Sequence, residues 1–269
     1  MPSRAIVYRR SIAEFPLAFD IAVILQTICR PTVYRSIASV FAQRDAGRIH
    51  LMIGVDRGEN DSDIHDFVRN APEHVTCSIV NIGMSNSTAR GGIYTNRFGG
   101  SLRSALSMLA NAQHVAYLDD DDWWDERHLA SLLAVLATSK WAFSLRRYVN
   151  SETGAEIGED QWESLGPGKG FFQEQSNGFV CPSCLAFDKL RYANLLYLWS
   201  YSTSPWGDCE DRMIYDGLVR SNEPRACTDL ATTFYALNPA DRMHKRRLEW
   251  FGAAGYDLST VPTEAVERG

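Results

Sequence analysis

Four aspartates follow one another at residues 119–122, and two tryptophans come directly after them. Adjacent carboxylates repel one another, so a protein that keeps them ionised at neutral pH needs a counter-ion, either a divalent cation or a cluster of Arg and Lys. Mg²⁺ and Mn²⁺ fit because both favour carboxylate oxygens and leave coordination positions open for substrate phosphates. The alternative is a solvated acidic turn that caps the next helix, where Asp122, Asp125 and Glu126 would favour the positive end of the helix dipole.

The place of this acidic run in the chain favours the metal-binding interpretation. Residues 115–118 are a short apolar segment, which predicts a strand buried in a sheet. The aspartates therefore stand at the carboxyl end of a strand. In open α/β sheets this is the edge where ligands bind.

The rest of the chain predicts the sheet that would hold this strand. Short apolar runs alternate with amphipathic stretches, a pattern typical of an α/β protein with a single, mostly parallel, Rossmann-like sheet and helices on both faces. Strands are predicted at residues 21–25, 49–55, 75–80, 115–118 and 141–145, and helices from residue 31, around residues 64–68, at 102–109 and at 129–136. Beyond residue 150 the elements are shorter: a strand at 185–187, a helix from 188 to about 198, a helix at 210–220 and a strand at 232–237. The Gly-rich residues 166–170 lack the spacing of a phosphate-binding loop and indicate a flexible lid.

Composition narrows the partners and the location. The 269 residues carry a net charge of −6, which gives no general attraction to nucleic-acid phosphates. No apolar signal-peptide core follows the N-terminal arginines, and no apolar stretch reaches the roughly 20 residues needed to span a bilayer. Six scattered cysteines suit a reducing compartment. We therefore expect a cytoplasmic protein with no nucleic-acid partner, and peripheral membrane contact stays open.

Five segments of the chain, taken in order, share the pattern of a known enzyme family. Residues 117–124 read YLDDDDWW, residues 21–31 read IAVILQTICRP, and residues 81–83 read NIG. Asp56 follows the second predicted strand, and Arg103 lies in the predicted helix that follows a Gly-rich loop at residues 91–100. Together they resemble family 2 glycosyltransferases with the GT-A fold. The resemblance covers roughly residues 18–240.

The resemblance implies a binding site for a nucleotide-diphosphate sugar, with a UDP-sugar as the default. Thr27, Arg30 and Asp56 are implied to hold the nucleoside. Arg103 is implied to face the diphosphate, where it and a metal would neutralise the leaving group.

The acidic run corresponds to the DxD region of that family. Asp119 is implied to touch the ribose or the donor sugar, and Asp121 to coordinate Mn²⁺ or Mg²⁺, with Asp119 as the second metal-contacting residue. Asp120 and Asp122 are then supporting neighbours. A tetrad can be aligned with a DxD pattern in two ways, so the phase stays open by one position.

An inverting transfer also needs a base for the acceptor hydroxyl, and a carboxylate is suitable. Residues 206–212, WGDCEDR, resemble the family's Glu-Asp segment, which makes Asp211 the first candidate. Asp208 is the main rival because it follows Trp-Gly, and Glu210 is the third acid of the segment. The structural interpretation is that these acids stand at the N-terminus of a helix, where the helix dipole favours negative charge. An acid in that position can also act as a base.

Three other features have a structural interpretation beside a functional one. His244 is a further metal or phosphate ligand or, as we favour, a lone surface histidine. Cys181 and Cys184 would need two more ligands to hold zinc, so buried thiols are favoured. Trp123 and Trp124 would stack on a sugar, or at least one of them packs in the core.

The resemblance therefore implies a hexosyltransferase of the inverting type, and the sequence predicts one domain in two halves. Residues 1–17 are an N-terminal extension, 18–150 the donor half, 151–244 the smaller acceptor-side half and 245–269 a tail. The acceptor is a saccharide, a lipid-linked molecule or another compound. Three alternatives stay open: a sugar-phosphate nucleotidyltransferase, although residues 26–31 contain no glycine; a metal-dependent phosphatase, although its acidic pair would follow the first strand; and a non-catalytic sugar-binding module of the same fold.

Overall fold

The computed structural model describes residues 4–8, 18–57, 61–204 and 207–262. Residues 1–3 and 9–17 of the expected extension, Trp206 of the WGDCEDR segment and residues 263–269 of the expected tail lie outside these described residues.

The secondary structure follows the predicted alternation and adds short elements to it. The strands are β1 Arg4–Tyr8, β2 Phe19–Thr27, β3 Ile49–Val55, β4 Val75–Asn81, β5 Ala112–Asp119, β6 Trp123–Trp124, β7 Trp141–Asn150, β8 Glu156–Glu159, β9 Gly166–Pro167, β10 Gly178–Phe179, β11 Leu185–Asp188 and β12 Arg225–Leu237. The α-helices are α1 Val33–Phe41, α2 Ser62–Val68, α3 Gly100–Leu109, α4 His128–Leu136, α5 Gln173–Ser176, α6 Glu210–Arg220 and α7 His244–Ala254.

One large sheet runs through both halves of the chain. Its order is β1-β4-β3-β2-β5-β11-β7-β12-β6, with β8 paired to β7. The strands β4, β3, β2 and β5 are parallel, whereas β11 enters antiparallel between β5 and β7. Because β2 and β5 are adjacent and parallel, the loop after β2 and the acidic run after β5 lie at the same sheet edge. The prediction of a mostly parallel α/β sheet is confirmed.

Both faces of the sheet are covered, as the continuous apolar strands predict. Side chains on a strand alternate between faces, so Ile21, Val23 and Leu25 of β2 pack on one side with α1, α2 and α4. Ala22 and Ile24 point to the other side and pack in the cluster that contains residues of α3 and α6. Each face therefore has its own apolar core, and the strand between them is buried from Ile21 to Thr27.

The helix predicted from residue 188 is wrong. Residue 188 still belongs to β11, its carboxylate accepts the N–H groups of Leu190 and Arg191 in a turn, and Ala193–Ser200 then form a 3-10 helix. The Ser104 hydroxyl of α3 donates to the Leu196 carbonyl at 2.7 Å. The Leu196 carbonyl is therefore bonded by a side chain of another helix. Such tertiary contacts override local helix propensity, and the spacing of residues does not reveal them.

The expected tail is in part a packed helix. Phe251 of α7 is fully buried, in a third apolar cluster with β7 and β12. Buried Arg247 donates to Glu163 at 2.7 Å, and buried Arg146 contacts both Glu163 and Asp160 at 2.7 Å. These ion pairs fix α7 to the segment after β8. Within the described ranges, no helix has both the length and the apolar character that crossing a bilayer requires.

The Gly-rich residues 166–170, predicted to be a flexible lid, begin with a short strand. Gly166–Pro167 pairs antiparallel with Gly178–Phe179 in a separate two-stranded sheet. Movement of this segment stays a prediction.

Candidate active site

The acidic run forms a tight turn at the end of β5, closed by a hydrogen bond of 3.2 Å from the Asp122 N–H to the Asp119 carbonyl. Its side chains alternate between solvent and interior. Those of Asp119 and Asp121 are 28% and 29% exposed. The side chain of Asp120 is 3% exposed, and Asp122 as a whole is 1% exposed. The two accessible carboxylates are thus separated by one buried residue, which is the spacing of a DxD pair.

Thr27, at the end of β2, and Arg30, in the loop after it, both bond the buried Asp120. The Thr27 hydroxyl donates to its carboxylate at 2.7 Å, and the Arg30 guanidinium donates to both of its oxygens. Arg30 also reaches Asp121 at 3.1 Å. The adjacent, parallel β2 and β5 explain this meeting of residues about ninety positions apart.

A second arginine approaches the acidic run from α3. Arg103 lies in the first turn of this helix, is buried and forms an ion pair with Asp119. Its guanidinium lies 4.9 Å from the centre of the Trp199 ring. Among the described residues its Nε has no hydrogen-bond partner. The alternative counter-ion for the carboxylates, a cluster of arginines, is therefore present in this structure.

Asp56 lies next to this edge, after β3. Its N–H donates to the Thr27 carbonyl at 2.8 Å, and its buried carboxylate pairs with Arg90 at 2.6 Å. Gly99 stands over it with φ of 75°, and a Cβ at this position would lie 3.3 Å from the carboxylate. Asp56, Thr27 and Arg30 are thus brought to adjoining strand ends, as expected for a shared site.

The turn that contains both motif cysteines packs against the acidic run. The Ser183 hydroxyl donates to the Asp122 carboxylate at 2.6 Å and accepts the Asp119 N–H at 3.1 Å. Ligand atoms of Asp119, Asp122 and Cys181 lie within 4.8 Å of one another, and no other group of three metal-ligating side chains occurs in the described parts of the chain. Cys181 and Cys184 are buried and free, which agrees with their interpretation as buried thiols.

The three candidate bases lie at the start of α6 and have different surroundings. Asp208 is bonded by Arg242 at 2.9 Å and by Ser204 at 2.6 Å. Glu210 is buried, its Cγ lies 3.4 Å from a Cβ built on Gly100 of α3, and its Oε2 has no hydrogen-bond partner among the described residues. Asp211 is partly exposed and accepts the N–H of the next residue at 2.7 Å.

Burial changes the proton affinity of these acids. It raises the pKa of Asp211 from 3.8 to about 6, although Arg212 and Arg103 act in the opposite direction. Burial, with the nearby Asp211 charge, raises the pKa of Glu210 from 4.5 to about 8. The Arg103 and Asp119 charges act on both groups, so α6 delivers its acids to the edge that holds the acidic run.

Within the run, burial raises the pKa of Asp121 to about 6, assisted by the neighbouring carboxylates and opposed by Arg30. Burial likewise raises the pKa of Asp122 well above its usual range. In both cases burial is the main cause and the neighbouring carboxylates add to it, so a cation bound here would favour the ionised forms.

His244 and the two tryptophans differ from one another in their environment. The interpretation of His244 as a surface residue is wrong, because it is buried at the start of α7 and its Nε2 lies 2.7 Å from the Pro262 carbonyl. It does not belong to the cluster of metal-ligating atoms, and its role as a ligand stays a prediction. Trp124 is buried and packs in the core. Trp123 is partly exposed, with the Arg35 guanidinium 3.5 Å from its ring centre.

Sequence reasoning missed three side chains at this edge: Ser183, Cys181 and Arg90. The first two lie in a motif that stood out only for its cysteines, and they reach the acidic run because β11 enters the sheet between β5 and β7. Arg90 lies in the loop before α3, where no spacing indicates its partner.

Comparison with solved structures identifies the fold. The chain resembles the crystal structure of S. aureus TarS 1–349 in complex with UDP-GlcNAc, with a TM-score of 0.59 and 13% identity over 83% of this chain and 60% of that one. It also resembles the mannosyltransferase PcManGT from Pyrobaculum calidifontis in complex with GDP-Man and Mn²⁺, with a TM-score of 0.56 and 15% identity over 87% of this chain and 61% of that one. This chain therefore spans about three fifths of the length of these two chains. Its fold is the GT-A fold of glycosyltransferases. The sequence matches no protein-family model and no curated protein.

Proposed function

We propose that the protein is an inverting, metal-dependent hexosyltransferase that moves a sugar from a nucleotide diphosphate to an acceptor hydroxyl. The observation that carries the proposal is the meeting of three groups at one sheet edge. These are the accessible pair Asp119 and Asp121, the arginines Arg30 and Arg103, and the acids at the start of α6. A GT-A fold with nucleotide-sugar-bound neighbours supports the same activity.

The donor would lie across the ends of β2, β3 and β5. Thr27, Arg30 and Asp56 are proposed to hold the nucleoside, because they surround the strand ends next to the acidic run. For this binding Arg90 would have to share or release Asp56. Arg103 is proposed to face the diphosphate, where a buried cation is worth more than one in water.

Asp121 and Asp119 are proposed to hold the metal, Mn²⁺ or Mg²⁺. Both present partly exposed carboxylate oxygens, the donors that both ions favour, from one turn. Asp119 also belongs to the group of metal-ligating atoms with Asp122 and Cys181, a group that does not include Asp121. When bound, the metal would supply electrostatic stabilisation of the leaving diphosphate. Asp120 and Asp122 support the turn through their buried hydrogen bonds.

Asp211 is the proposed base for the acceptor hydroxyl. With a pKa of about 6 it is mostly ionised at neutral pH and still accepts a proton readily. Glu210, with a pKa of about 8, is mostly protonated at that pH. Asp208 already has a salt bridge to Arg242, so its charge is neutralised elsewhere.

Two alternative functions remain distinguishable by experiment. A sugar-phosphate nucleotidyltransferase would consume a nucleoside triphosphate and a sugar phosphate and release pyrophosphate. A non-catalytic binding module would bind the nucleotide sugar without turnover, and the elevated pKa of Asp211 beside an accessible acidic pair favours an enzyme instead. Cytoplasmic location, which six free cysteines favour, and peripheral membrane contact belong to the proposal.

A thermal-shift scan tests the function. UDP- and GDP-sugars are expected to raise the melting temperature only with Mn²⁺ or Mg²⁺ present. Release of UDP or GDP in the presence of an acceptor would show transfer. Release of pyrophosphate from a nucleoside triphosphate and a sugar phosphate would favour the nucleotidyltransferase.

A further inference from the structure

The loop between β4 and α3 contains two polar residues that bond to the segment before α6. The Thr95 hydroxyl donates to the Ser202 carbonyl at 3.2 Å and accepts the Ser202 N–H at 3.1 Å. Asn96 is fully buried, and its amide group donates to the Ser200 carbonyl at 3.1 Å. We call Thr95 and Asn96 the clasp.

The clasp holds a part of the chain that has no regular structure of its own. In the described residues 201–204 and 207–209, the backbone belongs to no helix or strand. The Arg97 N–H donates to the Gly207 carbonyl at 2.7 Å, and a Cβ built on Gly207 would lie 2.4 Å from the Thr95 carbonyl oxygen. The two segments are therefore packed so closely that a side chain at residue 207 would force them apart.

A hydrogen-bonded path leads from the clasp to the start of α6. The hydroxyl of Ser202 accepts the Cys209 N–H at 3.4 Å and lies 3.1 Å from the Cys209 Sγ. Cys209 is the N-cap residue of α6, and Asp211 is the second residue of this helix. Because helical hydrogen bonds fix successive residues relative to one another, whatever holds Cys209 in place also holds the backbone of Asp211.

A second path leads from the clasp to the start of α3. The Asn96 Oδ1 accepts the N–H of Gly100, the first residue of α3, at 2.8 Å. The first N–H groups of a helix have no partner within it, so this bond satisfies one of them. Arg103 lies in the same first turn. A Cβ built on Gly100 would lie 3.4 Å from the Cγ of Glu210, so the starts of α3 and α6 are in close contact.

We propose that Thr95 and Asn96 are positioning residues for sugar transfer, which fix the start of α6 against the start of α3. The inference rests on the proposed function, in which Arg103 of α3 faces the leaving diphosphate and Asp211 of α6 faces the acceptor hydroxyl. Both groups act on one reacting centre from different helices, so their separation must match the transition state. A displacement of about 1 Å can lower a rate by roughly 10²-fold. The clasp acts through the two helices and does not itself touch the donor or the acceptor.

Kinetics of clasp variants test the inference. Thr95 is exposed, so its substitution should leave the protein folded. Thr95→Val keeps the size of the side chain but loses both bonds to Ser202, and it should lower kcat about tenfold while the KM for the nucleotide sugar and the donor-induced melting shift stay near wild type. Thr95→Ser keeps the hydroxyl and should retain most of kcat. Ser202→Ala removes the hydroxyl that accepts the Cys209 N–H and should lower kcat in the same way.

Hydrogen exchange gives a second readout that needs no turnover. The Arg212 and Met213 N–H groups both donate to the Cys209 carbonyl at 3.1 Å, so their exchange reports on the start of α6. Thr95→Val should speed this exchange roughly tenfold and leave peptides from β5 at the wild-type rate. Thr88→Val is the matched control, because it makes the same change at an exposed threonine of the same loop outside the clasp.

The outcomes separate this inference from the proposed function. A wild-type protein that transfers no sugar from any nucleotide sugar would defeat the proposed function, and unchanged exchange in Thr95→Val would separately defeat the anchoring of α6 by the clasp. With an active enzyme, the inference is overturned if Thr95→Val keeps the wild-type kcat, if Thr88→Val lowers kcat equally, or if the loss of kcat comes with an equal loss of donor binding.

Discussion

Ser183 and Asp122 are joined by a hydrogen bond of 2.6 Å from the serine hydroxyl to a buried carboxylate. The other oxygen of that carboxylate accepts the Ala236 N–H of β12 at 3.0 Å. Asp122 thus links the acidic run to two later strands. It contacts the turn that precedes β11 through Ser183, and it contacts β12 directly through Ala236. The turn that presents Asp119 and Asp121 is therefore held from its buried side.

Ser183→Ala should destabilise the protein by about 1–3 kcal/mol, because it leaves a buried carboxylate with one donor fewer. Urea unfolding measures this loss. Ser62→Ala on the exposed surface of α2 is the control and should change stability by about 0.5 kcal/mol at most. Equal effects of the two substitutions would show that the Ser183 bond does not support the acidic run.

Asp211→Asn should retain donor binding and lose transfer by about 10²–10⁴-fold, because the amide cannot accept the acceptor's proton. The wild-type rate should also fall as the pH drops below about 6, since the carboxyl must be ionised to act and its pKa is about 6. Steady-state kinetics with separate measurement of donor binding test both points. If Asp211→Asn turns over normally, Glu210 or Asp208 becomes the base.

Glu210 should make stability fall with rising pH. Its pKa is about 8 in the folded protein against an ordinary value of 4.5, so the folded state binds the proton more tightly. This contribution is fully present below pH 4.5 and is lost as the pH rises through about 8. Glu210→Gln cannot ionise, so its melting temperature relative to wild type should increase between about pH 5 and pH 9. Glu152→Gln, at an exposed position, should show no such trend. A melting-temperature difference between Glu210→Gln and wild type that does not change with pH would show that the pKa of Glu210 is not raised.

Arg247→Met should destabilise the protein by about 3–5 kcal/mol, because it leaves the buried carboxylates Glu163 and Asp160 with Arg146 as their one remaining arginine. Lys245→Met, on the exposed side of the same helix, should be within about 0.5 kcal/mol of wild type. Guanidinium unfolding compares the two. A small effect at Arg247 would mean that α7 is held by its apolar contacts alone.

The sequence was informative where local pattern and tertiary structure agree. The apolar runs of β2 and β5 predicted buried strands, and the parallel pairing of these two strands in the structure brings Thr27 and Arg30 to the acidic run. Most residues expected to bind the sugar donor follow predicted parallel strands, so the sequence was sufficient to expect them at one edge of the sheet.

Other features depended on contacts that no local pattern contains. The inward turn of Asp120 and Asp122 is visible only from burial, because their partners Arg30 and Ser183 lie far away in the sequence; the phase of the four aspartates stays a prediction. In place of the helix predicted from residue 188, the structure has a 3-10 helix at Ala193–Ser200. Its Leu196 carbonyl accepts a hydrogen bond from the Ser104 hydroxyl of α3. His244 looked like a surface residue because the helix that buries it follows a polar segment with no clear apolar periodicity.

We propose that Asp121 and Asp119 bind a cation that holds the donor diphosphate. The most direct test is the melting temperature of wild type, Asp121→Ala and the control Glu126→Ala with a UDP- or GDP-sugar, with and without Mn²⁺. Glu126 forms a surface ion pair with Arg44 close to the acidic run, so its removal changes charge without touching the turn. Wild type and Glu126→Ala should gain about 2.7 kcal/mol at a hundredfold excess of donor over Kd, only with the metal, and Asp121→Ala should gain nothing. A donor shift that is independent of metal, or that survives in Asp121→Ala, would contradict the claim.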